Sequence, residues 1–210
     1  MGEFWDILFS QYENYSNLDI ALESFATVFG LFSVWFSMRE NILVYPTGII
    51  STAIYVYILY NVGLFGDMSI NAYYFGMSIY GWYKWTRKTD ESHYIPIRHS
   101  TKKEKLYSLA LMVVSYVVLS FILKNYTSST VPYIDAFTTS IFFVGMWLMA
   151  KKVIDNWIYW IIGDMITIPL YIYKGLTITA TQYLIFTVLA IAGYIAWKKH
   201  LNKPRETLLG

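Results

Sequence analysis

The sequence contains no cysteine, which excludes disulfide staples, thiol chemistry and Cys-based metal sites. Charge is scarce as well: charged residues are 14% of the 210, against about 25% in an ordinary soluble domain. The formal net charge is only +2, so there is no basic domain of the kind that binds nucleic acid. Apolar residues fill the chain instead. Hydrophobic residues make up 56%, and 13 Phe, 8 Trp and 20 Tyr account for one residue in five. That composition excludes intrinsic disorder, and a soluble fold of this size could not cover so much apolar surface. The chain reads as an integral membrane protein, provided its apolar runs are long enough to span.

A membrane helix needs roughly 20 mostly apolar residues. Seven segments meet that need: Leu18–Met38, Ile42–Tyr60, Ile70–Trp85, Leu106–Leu123, Tyr133–Ala150, Trp157–Tyr173 and Thr181–Trp197. The expected fold is an all-α integral membrane protein of seven transmembrane helices, with no room for a soluble domain. Residues 1–17 carry Glu3, Asp6 and Glu13 but no Lys or Arg, the wrong charge for the start of a signal peptide. The stretch around Phe4, Trp5, Ile7, Leu8 and Phe9 reads as a short helix at the membrane surface.

Basic residues set the expected orientation. With the N-terminus outside, Arg39, Lys84, Arg87, Lys88, Arg98, Lys102, Lys103, Lys105, Lys151, Lys152, Lys198, Lys199, Lys203 and Arg205 fall on the cytoplasmic side. Only Lys124 and Lys174 fall on the other. This bias also tests the helix count, because six or eight spans would put the two main basic clusters on opposite sides. The C-terminus is therefore expected in the cytoplasm.

The chain also repeats itself. A shift of 115 residues brings Gly30 onto Gly145, Glu40 onto Asp155, Asn41 onto Asn156, Tyr45 onto Trp160 and Gly48 onto Gly163. After a change of three residues the offset is 112, and Gly63, Gly81 and Trp85 meet Gly175, Gly193 and Trp197. The expected organisation is a surface segment (1–17), a three-helix repeat (18–85), a basic loop with linking helix 4 (86–132), a second repeat (133–197) and a basic tail (198–210). A single linking helix makes the two repeats parallel, with a pseudo-two-fold axis along the membrane normal and a polar pathway between them.

Polar residues inside spans mark that pathway. In helix 6, Trp160, Asp164, Thr167 and Tyr171 follow Trp157 on one stripe, while Ile158, Ile161, Ile162 and Met165 point elsewhere. Asp164 lies roughly 10 Å into that helix. A carboxylate at such depth is a functional candidate by default, and the competing reading is a structural bond to a neighbouring helix. Helix 3 carries a second stripe with Asn71, Tyr74 and Ser78. In the expected register Asp164 faces Ile49, so only one half supplies each polar group, as an asymmetric ligand requires. Trp85 and Trp197 sit beside Lys or Arg and read as an interfacial belt. Glu23 is a weaker acidic candidate near the outer surface. Trp faces attract a desolvated cation and a carboxylate balances it, while Asn, Thr and Tyr suit hydroxyl or amide groups. The implied ligand is a planar, cationic aromatic ring with polar attachments.

The run Asn156-Trp157-Ile158-Tyr159-Trp160 with Asp164, Tyr171, Lys174 and Gly175 resembles the signature of the PnuC family of bacterial vitamin transporters. Glu40-Asn41 with Gly48, the ending Gly81-Trp82-Tyr83-Lys84-Trp85 and the ending Trp197-Lys198-Lys199 fit the same family. The resemblance runs from about Leu18 to Lys199. It implies a three-plus-one-plus-three relative of the SWEET sugar transporters, a homotrimer, and facilitated diffusion of nicotinamide riboside across the bacterial inner membrane, with trapping by a cytosolic kinase. Relatives carrying thiamine or riboflavin keep those vitamins open as alternatives. The expected binding residues are Asn156, Trp157, Trp160, Asp164, Tyr171, Asn41, Tyr45, Asn71 and Tyr74. No cofactor is expected. A membrane enzyme is the competing class, but H-E-x-x-H, G-x-S-x-G and the phosphate-binding G-x-x-x-x-G-K-[ST] are missing, and His93, His99 and His200 are scattered over loop and tail. A non-enzymatic scaffold is the third reading. The basic loop reads as a topology signal in contact with anionic lipid.

Overall fold

The computed structural model describes residues 17–61, 65–90, 93–175 and 177–202. Within them are seven helices: α1 (Asn17–Met38), α2 (Val44–Asn61), α3 (Phe65–Thr86), α4 (Lys102–Tyr126), α5 (Pro132–Ala150), α6 (Asn156–Tyr173) and α7 (Thr177–Leu201). The surface helix expected near Phe4 and the last residues of the tail lie outside the described residues. Several helices run beyond their apolar windows, because polar residues at the ends stabilise extra turns. Asp67 sits in the first turn of α3 and Lys198, Lys199 and His200 in the last turn of α7, each matching the helix dipole. Thr101 and Glu104 start α4 with a reciprocal capping box.

Among the described residues, four helices are long and apolar enough to cross a membrane by length and composition: α1, α4, α5 and, from Thr179, α7. The expectation that all seven qualify on apolarity alone is corrected. The three others carry the Tyr, Ser, Thr, Asn and Asp side chains that face the interior spaces described below, and these lower their hydropathy. Outward-facing positions are nevertheless apolar, with Val113, Val117 and Phe121 of α4 and Val188 of α7 all at least half exposed. A bundle whose backbone bonds are satisfied within helices and whose outer face is apolar suits a bilayer.

Successive helices pack in pairs, and α1 also packs on α7 and α3 on α5. The connection before α4 is not bare loop: Lys88–Asp90 (β1) and His93–Tyr94 (β2) form a small antiparallel hairpin. Arg98 then bridges to Val153, its N–H donating to Lys152 O while Ile154 N–H donates to Arg98 O. The Arg98 guanidinium grips Glu104 at 2.6 and 2.8 Å, and Lys151 reaches the same carboxylate at 2.7 Å. The hydrogen bond from Glu104 raises the Arg98 pKa further above its ordinary value.

Contacts recur at one spacing, 112 residues. Glu40 and Lys152 both take left-handed conformations (φ 56° and 53°) in the turns after α1 and α5, and they pair with each other at 2.6 Å. The Trp85 indole donates to Met149 O while Trp197 donates to Ser37 O. A Cβ on Gly81 would meet the Tyr45 ring at 2.3 Å, and one on Gly193 the Trp157 ring at 2.6 Å. The 115-residue register is therefore corrected: Tyr45 matches Trp157, Gly48 matches Trp160, and Asp164 matches Thr52. The reason is a change of side at two crossings. Gly30 makes room for Ser51 and Gly48 for Ser33, whereas in the second half Gly163 makes room for Phe142 and Gly145 for Trp160. Aligning glycine with glycine thus slips the register by one helical turn.

Trp85 and Trp197 are not a belt. They are 5% and 1% exposed and pack edge-on against Tyr45 and Trp157 at 5.2 and 5.5 Å. Their N–H groups satisfy carbonyls at the ends of α5 and α1, which draws the rings inward. With Ile97 they form a dry plug closing the basic end of the bundle.

Candidate functional site

Above the plug lies a cavity of about 210 Å³. One wall comes from α1, α2 and α3 and is made of small residues and hydroxyls: Gly30, Ser33, Ser37, Gly48, Ser51, Thr52 and Ser78. The opposite wall comes from α5, α6 and α7 and carries Phe142, Met146, Trp157, Trp160, Asp164, Tyr183 and Phe186. Gly30, Thr52, Tyr74, Phe142 and Tyr183 also line a second space of about 1530 Å³, so the two adjoin. This vestibule is bordered by Asn125, Thr127, Asp135 and Lys174, at the end away from the plug.

The helix 6 stripe forms one continuous wall. Trp157, Trp160 and Asp164 face the inner cavity, and Thr167 and Tyr171 continue into the vestibule. Trp160 stacks on Phe142 with centroids 5.5 Å apart and planes 24° apart, and Tyr74 lies 6.4 Å away. Phe142 stacks in turn on Tyr183, which touches Tyr171 at 5.4 Å. Asp164 is 2% exposed, and no Lys, Arg or His pairs with it among the described residues. Lys174 is committed elsewhere, to Asp135 at 2.6 Å.

Of the nine expected residues, Trp157, Trp160, Asp164 and Tyr74 line the inner cavity. Tyr74 also lines the vestibule, together with Tyr171 and Asn71. The other three line neither space. Asn41 is exposed and accepts from Leu43 N–H, a turn cap. Tyr45 is fully buried in the plug, wedged over Gly81. Asn156 is fully buried at the start of α6, where its amide donates to Val153 O. These three corrections share one cause: residues beside the turns between paired helices hold the turns, not the cavity. Glu23 lines the vestibule.

Sequence reasoning missed the hydroxyl wall. Its signal was Gly30, Ser33 and Ser37 at helical spacing on α1, facing Ser51 and Thr52 on α2. It also undervalued Tyr183, because helix 7 was judged by its low polarity.

The family model for the nicotinamide mononucleotide transporter matches residues 20–199. The nicotinamide riboside transporter PnuC of Escherichia coli (strain K12) is 24% identical over 210 residues, covering 88% of this chain and 87% of that protein. The riboflavin/roseoflavin transporter RibM of Streptomyces davaonensis is 25% identical, covering 91% and 88%. Among solved structures, the crystal structure of the vitamin B3 transporter PnuC superposes with a TM-score of 0.67 at 28% identity, covering 87% of this chain and 83% of that one.

Proposed function

This chain belongs to the nicotinamide mononucleotide transporter family, and on that premise we propose that it carries nicotinamide riboside across the bacterial inner membrane by facilitated diffusion. One observation carries the choice of substrate. The inner cavity pairs an aromatic wall with a single buried carboxylate, and none of its lining residues is Lys, Arg or His. A pyridinium ring fits there, balanced by Asp164 and stacked near Trp160. A phosphate does not, because it would be buried beside Asp164 with no counter-charge. The geometry thus favours the uncharged-sugar riboside over the mononucleotide of the family's name, and the name of the Escherichia coli relative supports the same substrate.

The size of the cavity supports a one-ring vitamin. At about 210 Å³ it falls below the roughly 300–1,000 Å³ of typical drug-sized sites. Riboflavin is the second reading, favoured by the similarity to RibM, but its tricyclic neutral ring needs more room and no carboxylate. Thiamine remains the cationic competitor.

The contacts at a spacing of 112 residues support two parallel three-helix repeats joined by α4, the SWEET-like arrangement. The basic residues at the plug end favour that end as cytoplasmic, so that the vestibule faces outside. In that orientation the protein is open to the outside and sealed by Tyr45, Trp85, Trp157 and Trp197. Trapping by cytosolic phosphorylation and a homotrimeric assembly complete the reading. Uptake into proteoliposomes tests it: nicotinamide riboside should equilibrate without ATP, sodium or a proton gradient and rise above equilibrium only with an enclosed kinase. Uphill accumulation of unmodified vitamin driven by a pH gradient would instead make Asp164 a coupling acid.

A further inference from the structure

The hydroxyls of the first-half wall have a common orientation in their chemistry. Ser33 donates to Val44 O at 2.7 Å, Ser51 to Ala26 O at 2.8 Å and Thr52 to Gly48 O at 2.8 Å. Each proton is spent on a backbone carbonyl, and each oxygen keeps acceptor lone pairs. Ser78 joins them, since its Oγ and that of Ser33 lie 3.4 and 3.0 Å from the position a Cβ on Gly48 would take. Glycine at 48 is what lets hydroxyls from α1 and α3 approach across α2. At the floor, Ser37 is 2% exposed, lines the cavity, and its Oγ has no hydrogen-bond partner among the described residues. A buried hydroxyl left unpaired is costly, and a ligand group in the cavity relieves that cost.

The geometry points to a polyol subsite formed by Ser33, Ser37, Ser51 and Ser78, which takes the sugar of a nucleoside while the wall of Trp160 and Phe142 takes its ring. This rests on the transport reading above and deepens it. An acceptor-rich wall matches a donor-rich ligand: sugar hydroxyls donate to Ser33 and Ser51, and Ser37 can both give and receive. The competing use of these serines is to tie α1 to α2, which the Ser33 and Ser51 bonds already do. Ser37 has no such bond, which makes it the discriminating position.

The test measures binding in detergent of two probes, nicotinamide riboside and 1-methylnicotinamide, which shares the cationic ring but has no sugar. Ser37→Ala breaks no bond within the protein, so folding is preserved. It should weaken the riboside roughly two- to tenfold, the range of one net hydrogen bond, and leave 1-methylnicotinamide unchanged. Ser33→Ala and Ser51→Ala should shift the riboside in the same direction, with the ring-only probe reporting whether each variant is intact. Equal losses for both probes would make the serines helix ties, and unchanged binding of both probes by Ser37→Ala would overturn the subsite directly. If the unaltered protein binds the ring-only probe but gains nothing from the sugar, the subsite fails while the ring site stands. If it binds neither, the transport reading fails with it.

Discussion

Replacing Trp160 with Ala removes the centre of the aromatic wall. The ring stacks on Phe142, lies 6.4 Å from Tyr74, and rests over Gly145, whose added Cβ would stand 3.1 Å from it. Asp164 follows one turn later on the same face, so ring and carboxylate act on one ligand. A desolvated cation–π contact is worth about 2 kcal/mol or more, which is a fall in affinity of at least roughly thirtyfold. Trp160→Phe keeps a ring with a weaker quadrupole and should fall between the two. Asp164→Asn keeps shape and hydrogen bonding while removing charge. It should therefore weaken nicotinamide riboside much more than its neutral, ring-reduced form, whereas Trp160→Ala should weaken both through lost stacking. Titration calorimetry in detergent, with thermal unfolding to establish that the variants are folded, gives the comparison. Normal binding by both Trp160→Ala and Asp164→Asn in folded protein would refute the site. Equal losses for charged and neutral ligands in Asp164→Asn would refute the electrostatic part alone.

Orientation is read by cysteine labelling in cells: Lys103→Cys should react only with permeant reagents and Ser128→Cys with impermeant ones, both positions being exposed. The opposite pattern reverses the topology. Lys152 is 6% exposed and pairs with Glu40, so Lys152→Glu alone should cost about 3–5 kcal/mol. The double exchange Glu40→Lys with Lys152→Glu should recover part of the loss in thermal stability, and no recovery would show that the pair is not what matters there. Gly163→Ala places a Cβ 2.2 Å from the Phe142 ring. It should destabilise by about 1–3 kcal/mol and lower riboside affinity by displacing the stack with Trp160, an effect that an unaltered affinity would contradict.

The membrane class, the seven helices and the stripe from Trp160 to Tyr171 follow from the sequence alone, because they depend on local quantities. Apolar runs fix the helices, helical periodicity fixes which side chains share a face, and a carboxylate in the middle of such a run has few inexpensive environments. The repeat was legible too, but its register was not. A helix crossing needs one small residue, and either partner can supply it, so Gly30 with Ser51 became Phe142 with Gly163. Only the packed pair shows which side gave way. The same limit hid the roles of Tyr45, Asn41 and Asn156, whose polar atoms looked available in sequence but hold turns or sit in the plug. It also hid the hydroxyl wall, since a serine inside an apolar helix has no distinctive pattern until another helix places a second one beside it. Trp85 and Trp197 carry the lesson furthest. Next to Lys they read as interface, yet the carbonyls of Met149 and Ser37, 64 and 160 residues away, draw their N–H groups inward. Long-range hydrogen bonding of that kind has no local trace, so the tertiary structure alone decided which end of the pathway is shut.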